Sequence, residues 1–282
     1  ASMAANGVLS PLGIPMISYA STSPALTDDT AYPDFYRVVP SDAQQGAAMS
    51  DVITAGSSVA TIHMSNDYAV GLGTSFSNEW SANNETMCQM ISYDPANFDA
   101  DAIATQVMDN NCDAVFLVSY AADGEQLITS LGTAGYTGAI YGGDGIADSN
   151  FNGPDGMIAT RPGANPNAGD TVLSERAQAF QALCGANAAC AGGIYTGETF
   201  DAFIVMGYSV FAMATSPGVP LTSMIGAVGQ GFVGATGSIT FMPNGDLMGG
   251  SGYCVGTFDA DSMFTCTQHW SISDGLTDIT TE

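Results

Sequence analysis

Short apolar runs alternate with stretches of helical length along the first half of this chain, and that alternation constrains the fold more than anything else in it. Val59–Met64, Glu85–Ser92, Ala114–Val118 and Ala139–Gly142 read as strands. Ala114–Val118 (AVFLV) carries no polar residue at all. Between them the pattern predicts helices over Asp67–Asn83, Asp99–Asp109 and Asp123–Ala134, with Asp99 and Asp123 as N-caps and Gly135 as a stop. A strand that is apolar on both faces is buried on both faces. Strands of that kind joined by helices build βαβ units, in which helices cover both sides of a parallel sheet.

At 282 residues the chain exceeds what one hydrophobic core usually organises, so two lobes are expected. The texture changes after Arg161-Pro162-Gly163. A loop rich in Gly, Ala, Asn and Pro (163–169) precedes expected helices over Thr171–Leu183, Thr199–Thr215 and Thr222–Val228. Asp201 then falls in a first helical turn, where the helix dipole favours an acid. Ser238–Phe241, Gly252–Asp259 and Met263–Ser271 read as strands joined by Asn-Gly and Asp turns. No apolar run approaches the ~20 residues that cross a bilayer, so direct membrane insertion is not expected.

Charge narrows the ligand. Twenty-eight acidic residues face three arginines (Arg37, Arg161, Arg176) and no lysine, a net charge of −25. Such a chain repels phosphate backbones and anionic lipid, so nucleic acid is excluded as a partner. Clamps for phosphate or dicarboxylate groups draw on Arg and Lys. A neutral, zwitterionic or cationic small molecule fits better. The acidity also reads simply as solubility in a saline or acidic habitat.

Six cysteines fall in close pairs: Cys88 with Cys112, Cys184 with Cys190, and Cys254 with Cys266. Of the fifteen formal connectivities, proximity favours this one. Disulfides place the chain in the periplasm or outside the cell; six buried reduced thiols in the cytosol is the competing reading. No CxxC occurs, and His63 and His269 make no ligand set with the cysteines, so no zinc or other cofactor is expected. Residues 148–153 (DSNFNG) match half of a calcium loop, but its twelfth position is Ala159, which lacks a carboxylate. With neither GxSxG nor HExxH, and few general bases, the chain is not expected to be an enzyme.

In open parallel sheets ligands bind beyond the carboxyl ends of the strands. Here those ends read SYASTSP (18–24), HMSNDYAVG (63–71), LVSYAADGE (117–125) and YGGDGIADS (141–149). They supply Ala20, Ser21 and Thr22, then Tyr68, Tyr120 and Asp144: hydroxyls, backbone, two aromatic rings and a carboxylate, suited to a small ligand with an amino group. Each also has a plainer reading. Ser21 and Thr22 suit a strand end and turn, Asp144 suits a turn in GGDG, and the tyrosines suit packing at helix starts.

GIPMISYASTSPALT, NDYAVGLG, SYAADGEQL, GGDGIADS and the later YTGETFDA, taken in order along the whole chain, resemble periplasmic solute-binding proteins of the leucine/isoleucine/valine-binding type, the type I two-lobed receptors of ABC importers. The resemblance implies an α/β fold of two Rossmann-like lobes with parallel sheets and a three-strand hinge. One lobe would comprise 1–40 and 162–247, the other 41–161 and 248–282. It also implies that the chain opens after two or three strand–helix units which family members carry, and which supply a serine of the carboxylate site. By the same resemblance, the Ala20 carbonyl and the Thr22 hydroxyl and N–H hold the α-amino and α-carboxylate ends of an amino acid or related amide. Asp144, an aspartate where the family has glutamate, pairs with the ammonium, and Tyr68 and Tyr120 close over it. The implied partner is an ABC permease; the alternative is a sensory domain of the same fold.

Overall fold

The computed structural model describes residues 1–147, 150–163, 175–187, 190, 193–249 and 252–279. Two units emerge, one of residues 1–41 with 162–252 and one of 42–161 with 253–282. The first begins with α1 (Ser2–Leu9), β1 (Met16–Ser18) and β2 (Phe35–Arg37). β1 and β2 pair in parallel, Met16 opposite Phe35 and Ser18 opposite Arg37. The second unit follows with α2 (Asp42–Val52), β3 (Val59–Met64), α3 (Asp67–Ala82), β4 (Met87–Tyr93), α4 (Ala100–Asp109), β5 (Ala114–Val118), α5 (Ala121–Thr133), β6 (Ala139–Gly142) and β7 (Ile158–Pro162). The chain returns to the first unit for α6 (Glu175–Cys184), α7 (Thr196–Thr215), α8 (Leu221–Val228) and the hairpin β8 (Phe232–Val233) with β9 (Ser238–Ile239). It ends in the second with β10 (Tyr253–Phe258), β11 (Phe264–Ser271) and β12 (Gly275–Asp278).

The second unit is an eight-stranded sheet in the order β12-β11-β10-β7-β6-β5-β3-β4. β4, β3, β5, β6 and β7 run parallel, while β10, β11 and β12 are antiparallel to one another. Every residue of β3 and β5 is buried, the polar Thr61 and His63 of β3 included, whereas the edge strand β4 exposes Met90 and Ser92. Phe76 and Trp80 from α3 pack onto this sheet, the Phe76 ring lying edge-on to Phe116 at 4.9 Å. The first unit gathers Val38, Val205, Ile225, Ile239 and Phe241 into its own cluster.

Three disulfides join Cys88 to Cys112, Cys184 to Cys190 and Cys254 to Cys266, with Cα separations of 5.7, 5.1 and 5.6 Å. The first ties the edge strand β4 to the turn before β5; the third staples the β10–β11 hairpin. Among the described residues no helix is long and apolar enough to cross a membrane.

Several local expectations change. Asp99 caps α4 through the Ala102 N–H, but Asp123 does not cap α5. The helix begins two residues earlier, at Ala121, and the Asp123 carboxylate instead accepts the Tyr93 hydroxyl. Asp201 is not in the first turn of its helix, since α7 begins at Thr196. It is fully buried and accepts the N–H groups of Ala235 (2.6 Å) and Thr236 (2.9 Å) and the Thr236 hydroxyl (2.7 Å), so it anchors the turn between β8 and β9. Helix α2 carries polar residues and Gly46, giving little local sign of itself. A Cβ at Gly46 would lie 2.6 Å from the Phe76 backbone nitrogen, so glycine is what lets α2 lie against α3. The loop 164–169, the expected helix start at 171–174, and Asp148 and Ser149 of the calcium-like stretch lie outside the described residues.

Candidate functional site

β3, β5 and β6 are neighbours in parallel register, Thr61 beside Phe116 and Phe116 beside Tyr141. The segments that leave their carboxyl ends therefore emerge side by side. They carry Tyr68, Tyr120 and Asp144. Asp144 opens a single 3-10 turn and is 4% exposed. The Tyr68 hydroxyl donates to its Oδ1 at 2.7 Å and accepts the Gly145 N–H at 3.1 Å. The Tyr68 and Tyr120 rings stack 5.8 Å apart at 15°. Tyr120, at the N-cap of α5, is 52% exposed, so one face of this stack is open to solvent. The structure thus brings these three residues into one cluster, although 76 positions separate Tyr68 from Asp144.

The glycines around Asp144 make the cluster fit. A Cβ on Gly145 would lie 2.5 Å from the Ser119 carbonyl oxygen and 3.1 Å from the Tyr68 hydroxyl; one on Gly143 would lie 3.0 Å from Leu72 and 3.1 Å from the same hydroxyl.

Burial pushes the Tyr68 phenol well up, and the Asp144 and Asp42 carboxylates push it further. Tyr120 is raised by burial and then by Asp144, Asp123 and Asp42. Asp42, at the start of α2 and fully buried, is therefore a second carboxylate acting on the tyrosine pair, one that strand-end reasoning did not find. Tyr93 and Tyr136 are raised mainly by burial too. A phenol raised in the folded state stays protonated while the unfolded chain ionises near pH 10. The unfolded state then binds fewer protons, so this contribution is intact below about pH 10 and falls as pH climbs through and beyond it. Urea midpoints should decline steeply above about pH 10; a flat profile there would contradict the placement of these rings.

The first unit holds the other three candidates. Beyond β1, the Ser18 hydroxyl accepts the N–H groups of Ala20 (3.3 Å) and Ser21 (3.0 Å), and the Ser21 hydroxyl meets Ser2 at 2.6 Å. Arg37, at the end of β2 and fully buried, donates through Nη1 to the carbonyls of Ser21 (3.3 Å), Thr22 (2.9 Å) and Ser23 (3.0 Å). Its Nε donates to Asp246 Oδ1 at 2.7 Å and its Nη2 to the Thr27 hydroxyl at 2.8 Å. Thr27 in turn donates to Asp246 Oδ2 at 2.8 Å. Among the described residues, the Ala20 carbonyl and the Thr22 N–H and hydroxyl make no hydrogen bond. Those are the groups the sequence assigns to a ligand. The supporting network escaped sequence reasoning; its one signal was that Arg37 is among three cations in so acidic a chain.

Comparison with known proteins follows this geometry. The family described as "Receptor family ligand binding region" matches residues 1–251. Metabotropic glutamate receptor 8 of Homo sapiens is 60% identical over 42 residues, 15% of this chain and 5% of the receptor. The Leu/Ile/Val-binding protein homolog 3 of Brucella melitensis is 27% identical over 147 residues, 51% of this chain and 40% of that protein. The chain thus covers well under half the length of either relative. A leucine binding protein of Thermotoga maritima superposes with a TM-score of 0.77 at 21% identity, covering 98% of this chain and 77% of that one. An ABC transporter substrate-binding protein of Desulfitobacterium hafniense gives 0.72 at 19%, covering 94% and 76%.

Proposed function

Because the chain belongs to the receptor family ligand binding regions and has the α/β fold of type I periplasmic binding proteins, we propose that it captures an amino acid, or a related small amine or amide, and delivers it to an ABC permease. The observation that carries this reading is Asp144, buried and held by Tyr68 under a stacked tyrosine pair at the carboxyl ends of three neighbouring parallel strands.

A zwitterion gives up strong hydration on entering a protein, and that loss is offset only when each charge meets matched groups. Asp144 and the Ala20 carbonyl receive the ammonium, with the tyrosine faces adding cation–π attraction. The Thr22 N–H and hydroxyl receive the carboxylate, which needs no lysine. The three disulfides support a periplasmic or extracellular setting. The family and its solved neighbours are binding proteins, and no catalytic step is invoked.

A thermal-shift screen of amino acids and small amides tests this. A ligand at 100 times its Kd adds about 2.7 kcal/mol, a rise of several degrees in melting temperature. If no compound raises it, the amino-acid reading falls. The short, highly identical match to a glutamate receptor favours a second reading, a sensory ligand-binding domain. Ligand-dependent stimulation of a permease in proteoliposomes supports delivery; ligand binding without stimulation of any cognate permease supports sensing.

A further inference from the structure

We propose that Arg37 is a positioning residue for the carboxylate end of the ligand: clamped by Asp246 and Thr27, it turns the backbone of Ser21–Ser23 so that the Thr22 amide points away from the guanidinium and is left as a donor. The proposal rests on the assignment of Thr22 to ligand binding above and supplies the device that makes Thr22 competent.

The argument is one of peptide geometry. A trans peptide is planar, so its C=O and N–H point in opposite directions. The Ser21 carbonyl and the Thr22 N–H share one peptide plane. With that carbonyl drawn to Arg37 Nη1 at 3.3 Å, the Thr22 N–H must point away from the guanidinium. The Thr22 and Ser23 carbonyls, at 2.9 and 3.0 Å from the same nitrogen, fix the following two planes. On the upstream side the Ser18 hydroxyl has already taken up the Ala20 and Ser21 amides. The loop is thereby held from both flanks, and the Thr22 N–H and hydroxyl are what it leaves over.

The guanidinium is itself oriented. Nε is fixed by Asp246 and Nη2 by Thr27, whose hydroxyl also reaches the second Asp246 oxygen, so three directions of the fork are satisfied at once. The backbone adds a further tie, since the Arg37 N–H donates to the Gly245 carbonyl at 3.1 Å. Gly245 has φ +83°, a conformation that favours glycine and lets the 244–246 turn carry Asp246 back to β2. Lysine has the charge but not the fork, and cannot serve Asp246, Thr27 and three carbonyls together.

The test uses two small probes on the whole chain, acetate for the carboxylate end and methylammonium for the amine end, each titrated while backbone amide resonances are followed. In the unsubstituted protein the Thr22 amide should shift saturably with acetate. In Arg37→Lys that response should weaken about tenfold or more, the loss of an orienting charged hydrogen bond, while the methylammonium response near Asp144 is retained. A merely structural role would instead disturb amides throughout residues 1–41 and 162–252, with no selective loss of the acetate response at Thr22. Should Arg37→Lys not fold, Thr27→Val, which removes the Nη2 acceptor and the Thr27 bond to Asp246, should weaken acetate at Thr22 by about threefold. A Thr22 amide indifferent to acetate in the unsubstituted protein, or equally responsive in the variants, overturns the proposal. Failure of the methylammonium arm alone counts against Asp144 and leaves Arg37 standing.

Discussion

Asp144→Asn is expected to lower affinity for an amine-bearing ligand by about 30-fold or more while leaving the melting temperature of the empty protein unchanged or slightly raised. Asparagine keeps an oxygen that accepts the Tyr68 hydroxyl, so the local hydrogen bond at 2.7 Å has a successor. What disappears is the charge. Truncating one member of a buried, hydrogen-bonded charge pair costs roughly 2–5 kcal/mol, and each 1.4 kcal/mol is about tenfold in Kd. Without ligand the balance reverses. A carboxylate 4% exposed is held out of water, so neutralising Asp144 relieves its desolvation. Calorimetric titration and scanning calorimetry read the two quantities separately. Unchanged affinity would make Asp144 a turn residue and no more. A large fall in melting temperature would give it a structural task instead.

What the sequence discloses depends on how local the cause is. β3, β5 and β6 match the expected strands Val59–Met64, Ala114–Val118 and Ala139–Gly142 because a strand at the centre of a parallel sheet is largely apolar on both faces. β4, at the edge, needs no such run, and it begins and ends later than its sequence suggests, at Met87 and Tyr93. Helix α2 escaped because its place is set by contact with α3 through Gly46, a tertiary cause without local periodicity. Asp123 looked like a cap by its position near a helix start; only the fold brings the Tyr93 hydroxyl to it. The strand-end rule reached Tyr68, Tyr120 and Asp144, and the register of the three strands explains why they meet. The same rule reached Ala20, Ser21 and Thr22 but not what holds them. Arg37 and Asp246 are 209 positions apart, and no spacing within a segment encodes their pairing.

That pair also carries the largest expected stability effect. Asp246→Ala should destabilise the first unit by about 3–5 kcal/mol, the usual consequence of stranding one half of a buried ion pair. The Arg37 side chain is 0% exposed and that of Asp246 8%, so water cannot take over the lost contact. Besides Arg37 Nε, the carboxylate accepts the Thr27 hydroxyl at 2.8 Å and Asn244 Nδ2 at 3.4 Å; the Thr27 hydroxyl would be left short of an acceptor, while Asn244 keeps the Thr27 carbonyl at 3.2 Å. Asp246→Asn, which preserves the acceptor at Oδ1, should cost markedly less. The double variant Arg37→Met with Asp246→Leu separates charge from architecture. Replacing a buried ion pair by apolar groups of similar volume is often neutral or better, but here three carbonyls, at Ser21, Thr22 and Ser23, would lose their donor as well. The double variant should therefore recover only part of the loss, and its Thr22 amide should lose its fixed orientation. Urea unfolding, followed with probes in each unit because the two need not melt together, should place the whole deficit in the transition of residues 1–41 and 162–252. An Asp246→Ala variant within about 0.5 kcal/mol of the parent, the range of an ordinary surface change, would show that the guanidinium reaches water after all, and the clamp behind Thr22 would lose its physical basis.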